Sequence, residues 1–106
     1  VAFTGEDPYL RAKLLWTRAR LGEFDTLEVE FLEVLSRAHN PMPILLFRAK
    51  SFAALGLVNR AMADLQDLAG RGQLFREMVV RDADLHRLHE DPRYVELVRD
   101  LPALRD

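Results

Sequence analysis

The sequence predicts an all-α protein, and three kinds of observation lead to this prediction. Helix-forming residues, above all Ala, Leu, Arg and Glu, dominate the chain. β-Branched residues are few and scattered, and no segment sustains the alternation of apolar and polar positions that a half-buried strand shows. Pairs of Asp or Asn with Pro, and of Leu with Gly, divide the chain into segments of helical length.

Asx-Pro pairs predict where three of the helices begin. An Asp or Asn side chain can accept a hydrogen bond from a first-turn N–H that has no helical partner. Proline suits the next position, because the N–H that it lacks would have no partner there. We therefore expect helices to begin near residues 8, 41 and 92, after Asp7, Asn40 and Asp91. Asp25 and Asn59 are weaker candidates for the caps of two further helices.

Glycine predicts where the helices end. Gly22 and Gly56 each follow a leucine at the end of a helical pattern, and glycine accepts the left-handed conformation found just after a C-cap. Gly70 and Gly72 close the next pattern. The predicted helices cover residues 8–21, 25–38, 41–55, 59–70, 73–81 and 91–100, with a short helical turn over 84–88.

Apolar residues repeat at three- and four-residue spacing within these segments. Because a single helix cannot bury such a stripe alone, we expect the helices to pack against one another. The stripes are Leu10, Leu14, Leu15 and Leu21 in the first helix, Leu27, Phe31, Val34 and Leu35 in the second, and Ala61, Leu65 and Leu68 in the fourth.

The chain also contains an internal period. The two Leu-Gly pairs lie 34 residues apart, and overlaying residues 8–41 on 42–75 aligns Ala19 with Ala53 and Phe31 with Leu65. Each segment reads helix, glycine turn, helix, and a 34-residue period of this kind is the signature of the tetratricopeptide repeat. The chain therefore resembles a tetratricopeptide-repeat (TPR) protein.

The resemblance implies one TPR-like domain over residues 1–106. It would contain repeats at 8–41 and 42–75, followed by a degenerate third unit and terminal helix over 76–106. The segment from Asp82 to Tyr94 is similar to the "DPDL…L…DPRF" ending of bacterial TPR arrays. The family usually has small residues where the two helices of a repeat meet. Ala49 and Ala61 fit this pattern in the second repeat, whereas leucines occupy residues 15 and 27 in the first.

A TPR-like superhelix of about two and a half stacked hairpins implies a concave groove that binds a peptide or a partner domain, without catalytic machinery of its own. Trp16 stands out because Trp and Arg are enriched in interface hot spots, although it could instead pack against the neighbouring hairpin. Phe47 could likewise be core. The carboxylate clamp of some TPR proteins is not expected, because Trp16 occupies the site of its Asn. The family's groove positions correspond to Tyr9, Lys13, Trp16, Arg20, Phe47, Lys50 and Ala54.

Composition argues against several other functions. The 15 basic and 17 acidic residues give a net charge of −2, whereas dedicated nucleic-acid binders usually carry a basic excess. The longest apolar run, residues 44–47, is far too short to span a bilayer. The absence of cysteine excludes disulfides and thiolate chemistry. We therefore expect a protein that binds neither nucleic acid nor membrane. Cysteine-free chains occur both in the cytosol and among secreted proteins, and our default expectation is the cytoplasm.

Enzymatic chemistry and cofactors are not expected either. His86 and His89 have helical spacing, which could place two metal ligands on one face, but Asp91 beside them is better explained as an N-cap. Carboxylates at helical spacing, in residues 30 and 33 and in residues 64 and 67, are typical of solvated outer faces. Our leading hypothesis is a protein–protein interaction scaffold. The alternatives are an oligomerisation unit that forms a homodimer, or an accessory or regulatory domain of a larger bacterial protein.

Overall fold

The protein is built from α-helices, as a computed structural model describing residues 7–104 shows. The helices are α1 (Pro8–Arg20), α2 (Leu27–Arg37), α3 (Pro41–Ala54), α4 (Val58–Gly70), α5 (Arg76–Val80) and α6 (Pro92–Asp100). A 3₁₀ helix over Leu85–Leu88 lies between α5 and α6. No strand occurs between residues 7 and 104, so the all-α prediction is confirmed.

The three Asx-Pro starts are confirmed. The side chain of Asp7 accepts a hydrogen bond from the backbone N–H of Tyr9 at 2.9 Å, and α1 begins at the intervening proline. Asn40 caps α3 in the same way at 3.1 Å, and Asp91 caps α6 at 2.8 Å.

The two weaker cap predictions are wrong. The residue before α2 is Thr26, which takes a left-handed backbone conformation with φ 57°, so Asp25 lies one residue too early. The residue before α4 is Leu57, and Asn59 already lies inside that helix. The reason is that the N–H of Leu57 closes the turn onto the Phe52 carbonyl. The next helix follows at once, without a side-chain cap.

Three helices are followed by a glycine in the left-handed backbone conformation. Gly22, Gly56 and Gly72 have φ values of 89°, 78° and 73°. In each turn the glycine N–H bonds to the carbonyl three residues earlier, and the next N–H bonds to the carbonyl five residues earlier. The predictions for Gly22 and Gly56 are confirmed. In the third turn Gly70 is the last helical residue, and Gly72 makes the left-handed step.

Two helical hairpins form the main body of the fold. The first hairpin is α1 with α2, the second is α3 with α4, and α3 packs against both helices of the first. The thinnest dimension of the molecule is 19 Å, about two helix diameters, so the helices form two layers. Residues that share a position in the 34-residue period are buried in both hairpins, as at Leu15 and Ala49, Leu27 and Ala61, and Phe31 and Leu65.

The prediction that Leu10, Leu14, Leu15 and Leu21 form one buried side of α1 is wrong in part. Leu15 is buried, together with Ala12 and Ala19, but Leu10, Leu14 and Leu21 are 60%, 54% and 74% exposed. Each residue turns an α-helix by about 100°, so Leu15 lies on a different side from the other three leucines. Helix α1 therefore has one apolar side in the core and another at the surface.

The C-terminal third packs against the second hairpin and also reaches α1 of the first. The 3₁₀ helix packs against α3, and α6 packs against α4. Leu85, Leu88 and Tyr94 bury their side chains here. Helix α5 is shorter than the predicted 73–81, because Phe75 is extended and the backbone N–H of Arg76 bonds instead to the Pro102 carbonyl at 2.9 Å.

Candidate functional site

Three aromatic side chains meet where α1 lies beside α3. Phe47 of α3 lies between Tyr9 and Trp16 of α1, and its ring centroid is 5.4 Å from each of theirs. The two rings of α1 are about two helical turns apart, on the side of the helix that faces α3. The Tyr9 and Phe47 rings pack edge to face, and the Trp16 and Phe47 rings are tilted. Such aromatic pairs stabilise the fold by more than the burial of their surface area alone.

Two cations lie over these rings. Lys50 Nζ is 4.3 Å from the Trp16 ring centroid and 5.0 Å from that of Phe47, and Arg20 Cζ is 5.1 Å from the Trp16 centroid. A cation within about 6 Å of an aromatic face is attracted by the negative charge of the ring face. Tyr9, Trp16, Arg20, Phe47 and Lys50 thus form an aromatic–cation cluster.

Two carboxylates from the C-terminal third occupy one end of this cluster. Asp82 forms an ion pair with Lys50 at 3.0 Å, and the indole Nε1–H of Trp16 donates to Asp84 Oδ2 at 2.8 Å. Asp84 also lies 3.8 Å from the Arg20 guanidinium. Asp82 is held in turn by the backbone N–H groups of Asp84 and Leu85, at 2.9 and 3.1 Å.

The structure therefore places the predicted groove residues in three different settings. Trp16 is half-buried between its own helix, Phe47 and the Asp84 segment. Ala54 is partly buried, and its carbonyl accepts a hydrogen bond from Arg87 of the 3₁₀ helix at 3.0 Å. Lys13 is exposed and forms no ion pair with another residue of 7–104. Within residues 7–104, the surface beside Tyr9 is open.

The open end is a shallow apolar depression of about 320 Å³. Its wall includes two methionines, whose flexible thioether side chains can adapt to differently shaped apolar groups. The sequence reasoning missed this part of the site, because Met78 lies on α5, outside both repeats. The lining residues are Tyr9, Met42, Pro43, Leu46, Phe47, Lys50 and Met78.

The carboxylates at helical spacing are engaged in ion pairs. Glu30 binds Arg11 at 2.8 Å and Arg18 at 3.2 Å, and hydrogen bonds from the Thr26 hydroxyl and from Arg18 lower the pKa of its carboxyl. Asp64 is buried and accepts two hydrogen bonds from Arg48, at 2.7 and 2.9 Å. Burial raises the pKa of Asp64 despite this partner.

The remaining two carboxylates bind arginines one helical turn further along. Glu33 lies 3.1 Å from Arg37, and Asp67 lies 2.9 Å from Arg71. Both pairs are exposed, as expected for outer helix faces.

The two histidines of the 3₁₀ helix region stack on each other. The ring centroids of His86 and His89 are 4.4 Å apart with an interplanar angle of 6°, and His89 Nδ1 lies 2.7 Å from the His86 carbonyl oxygen. In the part of the chain from Asp7 to Leu104, no three His, Cys, Asp or Glu side chains gather into a possible metal site.

Asp91, the N-cap of α6, also binds Arg93, and this hydrogen bond lowers the pKa of Asp91 to about 2.

Comparison of the chain with protein-family models, with curated proteins and with solved structures found no match. Within residues 7–104, no helix is long and apolar enough to cross a membrane.

Proposed function

We propose that the chain is a TPR-like protein–protein interaction module that binds a peptide segment of a partner protein in the groove between α1 and α3. Two features support the TPR-like architecture. The hairpins repeat in a 34-residue register, and equivalent residues are buried in both, such as Phe31 and Leu65. Equivalent glycines, Gly22 and Gly56, also end α1 and α3 with the same hydrogen-bond pattern.

The observation that carries the proposal is the open end of the groove. Tyr9 is half-exposed beside buried Phe47, and the depression next to them is lined almost wholly by apolar groups. Such a site fits one large apolar side chain of an extended or helical peptide. Lys13 lies one turn along α1 from Tyr9 and is exposed, so an acidic residue beside that anchor would be favoured.

Selection of random peptides on the immobilised full chain tests the proposal. We expect the selected sequences to share an aromatic or large aliphatic anchor with an acidic neighbour. Tyr9→Ala should weaken binding of a selected peptide about tenfold or more, as expected for loss of an interface aromatic. Phe24→Ala is the matched control, because Phe24 is equally exposed but lies in the turn between α1 and α2.

The proposal fails if no reproducible peptide is selected, or if the two variants bind the selected peptide equally well. The same proposal assigns the chain no catalytic role and no cofactor. It rests on the apolar depression beside Tyr9 and Phe47 and on the charge of Lys13.

A further inference from the structure

The chain carries three methionines and no cysteine, and the methionines lie in two settings. Met62 of α4 belongs to the core and is 0% exposed. Met42 and Met78 are partly buried, and both line the depression beside Tyr9. The accessible thioethers of this chain therefore lie in one place, at the open end of the groove.

Two different helices bring these thioethers together. Met42 is the second residue of α3, and its backbone N–H donates to the side chain of Asn40 at 3.1 Å. Met78 is the third residue of α5, and its backbone N–H bonds to the Phe75 carbonyl at 3.0 Å. Each side chain packs against the core and also borders the depression. Because local hydrogen bonds fix both backbones, a chemical change at the sulfur leaves the two helices in place.

Hydrogen peroxide oxidises thioethers to sulfoxides, and the susceptibility of a site follows its exposure. In this reaction a sulfur lone pair forms the S–O bond, the O–O bond of the peroxide breaks, and water leaves with both peroxide hydrogens. The sulfur loses two electrons and the peroxide gains two. The product is polar and chiral, whereas the thioether was apolar and flexible. Oxidation therefore changes the character of the surface on which the thioether lies.

A sulfoxide oxygen in the depression would oppose the binding of an apolar side chain. In the free protein the depression is open, so water can hydrogen-bond to this oxygen. A docked apolar side chain expels that water, and a polar group that is buried without a partner is unfavourable. The lining is mostly apolar, and the ammonium of Lys50 is already engaged by Asp82 at 3.0 Å. Oxidation thus weakens ligand binding and spares the fold.

We propose that Met42 and Met78 are a pair of oxidation sites that control the groove: hydrogen peroxide converts both to sulfoxides, and the depression then no longer accepts an apolar side chain. The core methionine is spared, so the change is confined to the binding surface. Methionine sulfoxide reductases, one for each sulfoxide epimer, reverse it. The loss of binding rests on the proposed peptide-binding function, whereas the selectivity of oxidation does not depend on it.

Selectivity is measured first, on the full folded chain treated with hydrogen peroxide. Mass spectrometry of proteolytic fragments should show sulfoxide forming at Met42 and Met78 at least about tenfold faster than at Met62, because susceptibility follows exposure. Circular dichroism should stay unchanged until Met62 reacts. Equal rates at the three sites, or unfolding that accompanies oxidation of the first two, would overturn the proposal.

Binding of a peptide selected on the reduced chain is measured next. Oxidation of Met42 and Met78 should weaken it about tenfold or more, and reductase treatment should restore it. The double variant Met42→Leu/Met78→Leu keeps the depression apolar at nearly constant volume, so it should bind the peptide before and after peroxide treatment. Met62→Leu is the matched control, and it should lose binding on oxidation as the wild type does.

The outcomes separate this proposal from the proposed function. A reduced chain that selects no peptide contradicts the proposed function, and with it the loss of binding, while the oxidation rates still decide whether Met42 and Met78 are the preferred sites. A peptide that binds the oxidised and reduced wild type equally well overturns the control by oxidation and leaves the groove intact. Loss of binding after peroxide treatment of the double leucine variant overturns it too, because another side chain would then be responsible.

Discussion

At the scale of single residues, Trp16 shows how one side chain can join parts of the chain that are far apart. Its indole N–H reaches Asp84, 68 residues later, while its ring packs against Phe47 and under Lys50. The sequence pointed to Trp16 as a contact for a partner. In the structure its polar atom is bound within the chain, and the open surface lies at Tyr9.

Trp16→Phe tests the hydrogen bond to Asp84. The substitution keeps an aromatic ring but leaves the largely buried Asp84 carboxylate without one donor. We expect a loss of about 1–3 kcal/mol in the free energy of unfolding, as is usual for a bond to a charged group. Urea denaturation followed by circular dichroism measures it. Asp84→Asn in the Trp16→Phe background should cost less than Asp84→Asn alone, and strictly additive effects would contradict a shared interaction.

The Asp91 carboxyl gives a pH prediction. Its pKa in the folded protein is about 2, below the ordinary 3.8, because it accepts hydrogen bonds from Arg93 and from the first turn of α6. A lowered pKa means that Asp91 stabilises the fold above about pH 4, and that this contribution is lost as the pH falls towards 2. Asp91→Asn keeps a capping side chain but cannot titrate. We expect the stability difference between wild type and Asp91→Asn to shrink steadily between pH 5 and about 2, as thermal unfolding at each pH would show. A constant difference would contradict the assignment.

At the scale of helices, the turns and the ion pairs between helices determine how the hairpins are held. Gly56→Ala would force a Cβ onto a residue with φ 78°, although the space around it is open. We expect a loss of about 1 kcal/mol from backbone strain alone. Gly70→Ala is the control, since Gly70 is helical and equally unobstructed. It should leave stability unchanged or raise it by up to about 1 kcal/mol. Equal effects of the two substitutions, in urea denaturation, would contradict the left-handed assignment.

The buried pair between α3 and α4 gives a second prediction at this scale. Arg48→Met would leave Asp64, which is 4% exposed, as a buried carboxylate without its partner. Breaking such a pair from one side usually costs about 3–5 kcal/mol. Arg37→Met removes an exposed pair with Glu33 and should cost less than about 1 kcal/mol. Equal falls in the denaturant midpoints of the two variants would show that the buried Arg48–Asp64 pair contributes no more to stability than the exposed Arg37–Glu33 pair.

At the scale of the whole molecule, the C-terminal third closes one end of the helix stack. Leu85 is fully buried and anchors the segment that carries Asp82 and Asp84. Leu85→Ala should cost about 3 kcal/mol, the usual result of a buried cavity. It should also loosen Asp84 from the indole, so the emission of Trp16, the single tryptophan, should move to longer wavelength. Val95→Ala, at an exposed site on α6, should change neither quantity.

The local parts of this fold could be predicted from the sequence, because their signals lie within a few residues. Asp7, Asn40 and Gly56 act on the first or last turn of one helix, and each behaves as predicted. The placement of Asp82 beside Lys50 could not be predicted, since it depends on how the segment around the 3₁₀ helix folds back against α3. The exposure of Leu10 and Leu14 was missed for a similar reason. A leucine stripe shows which side of a helix is apolar, but not whether another helix covers it.

The bond between Trp16 and Asp84 also has a kinetic consequence. Contacts within each hairpin close short loops, whereas this one joins positions 68 residues apart and carries the larger entropic cost of a long loop. It can form only when both hairpins and the C-terminal third have come together. In a refolding experiment the indole signal therefore marks the completion of the native chain topology, and helix formation alone does not produce it.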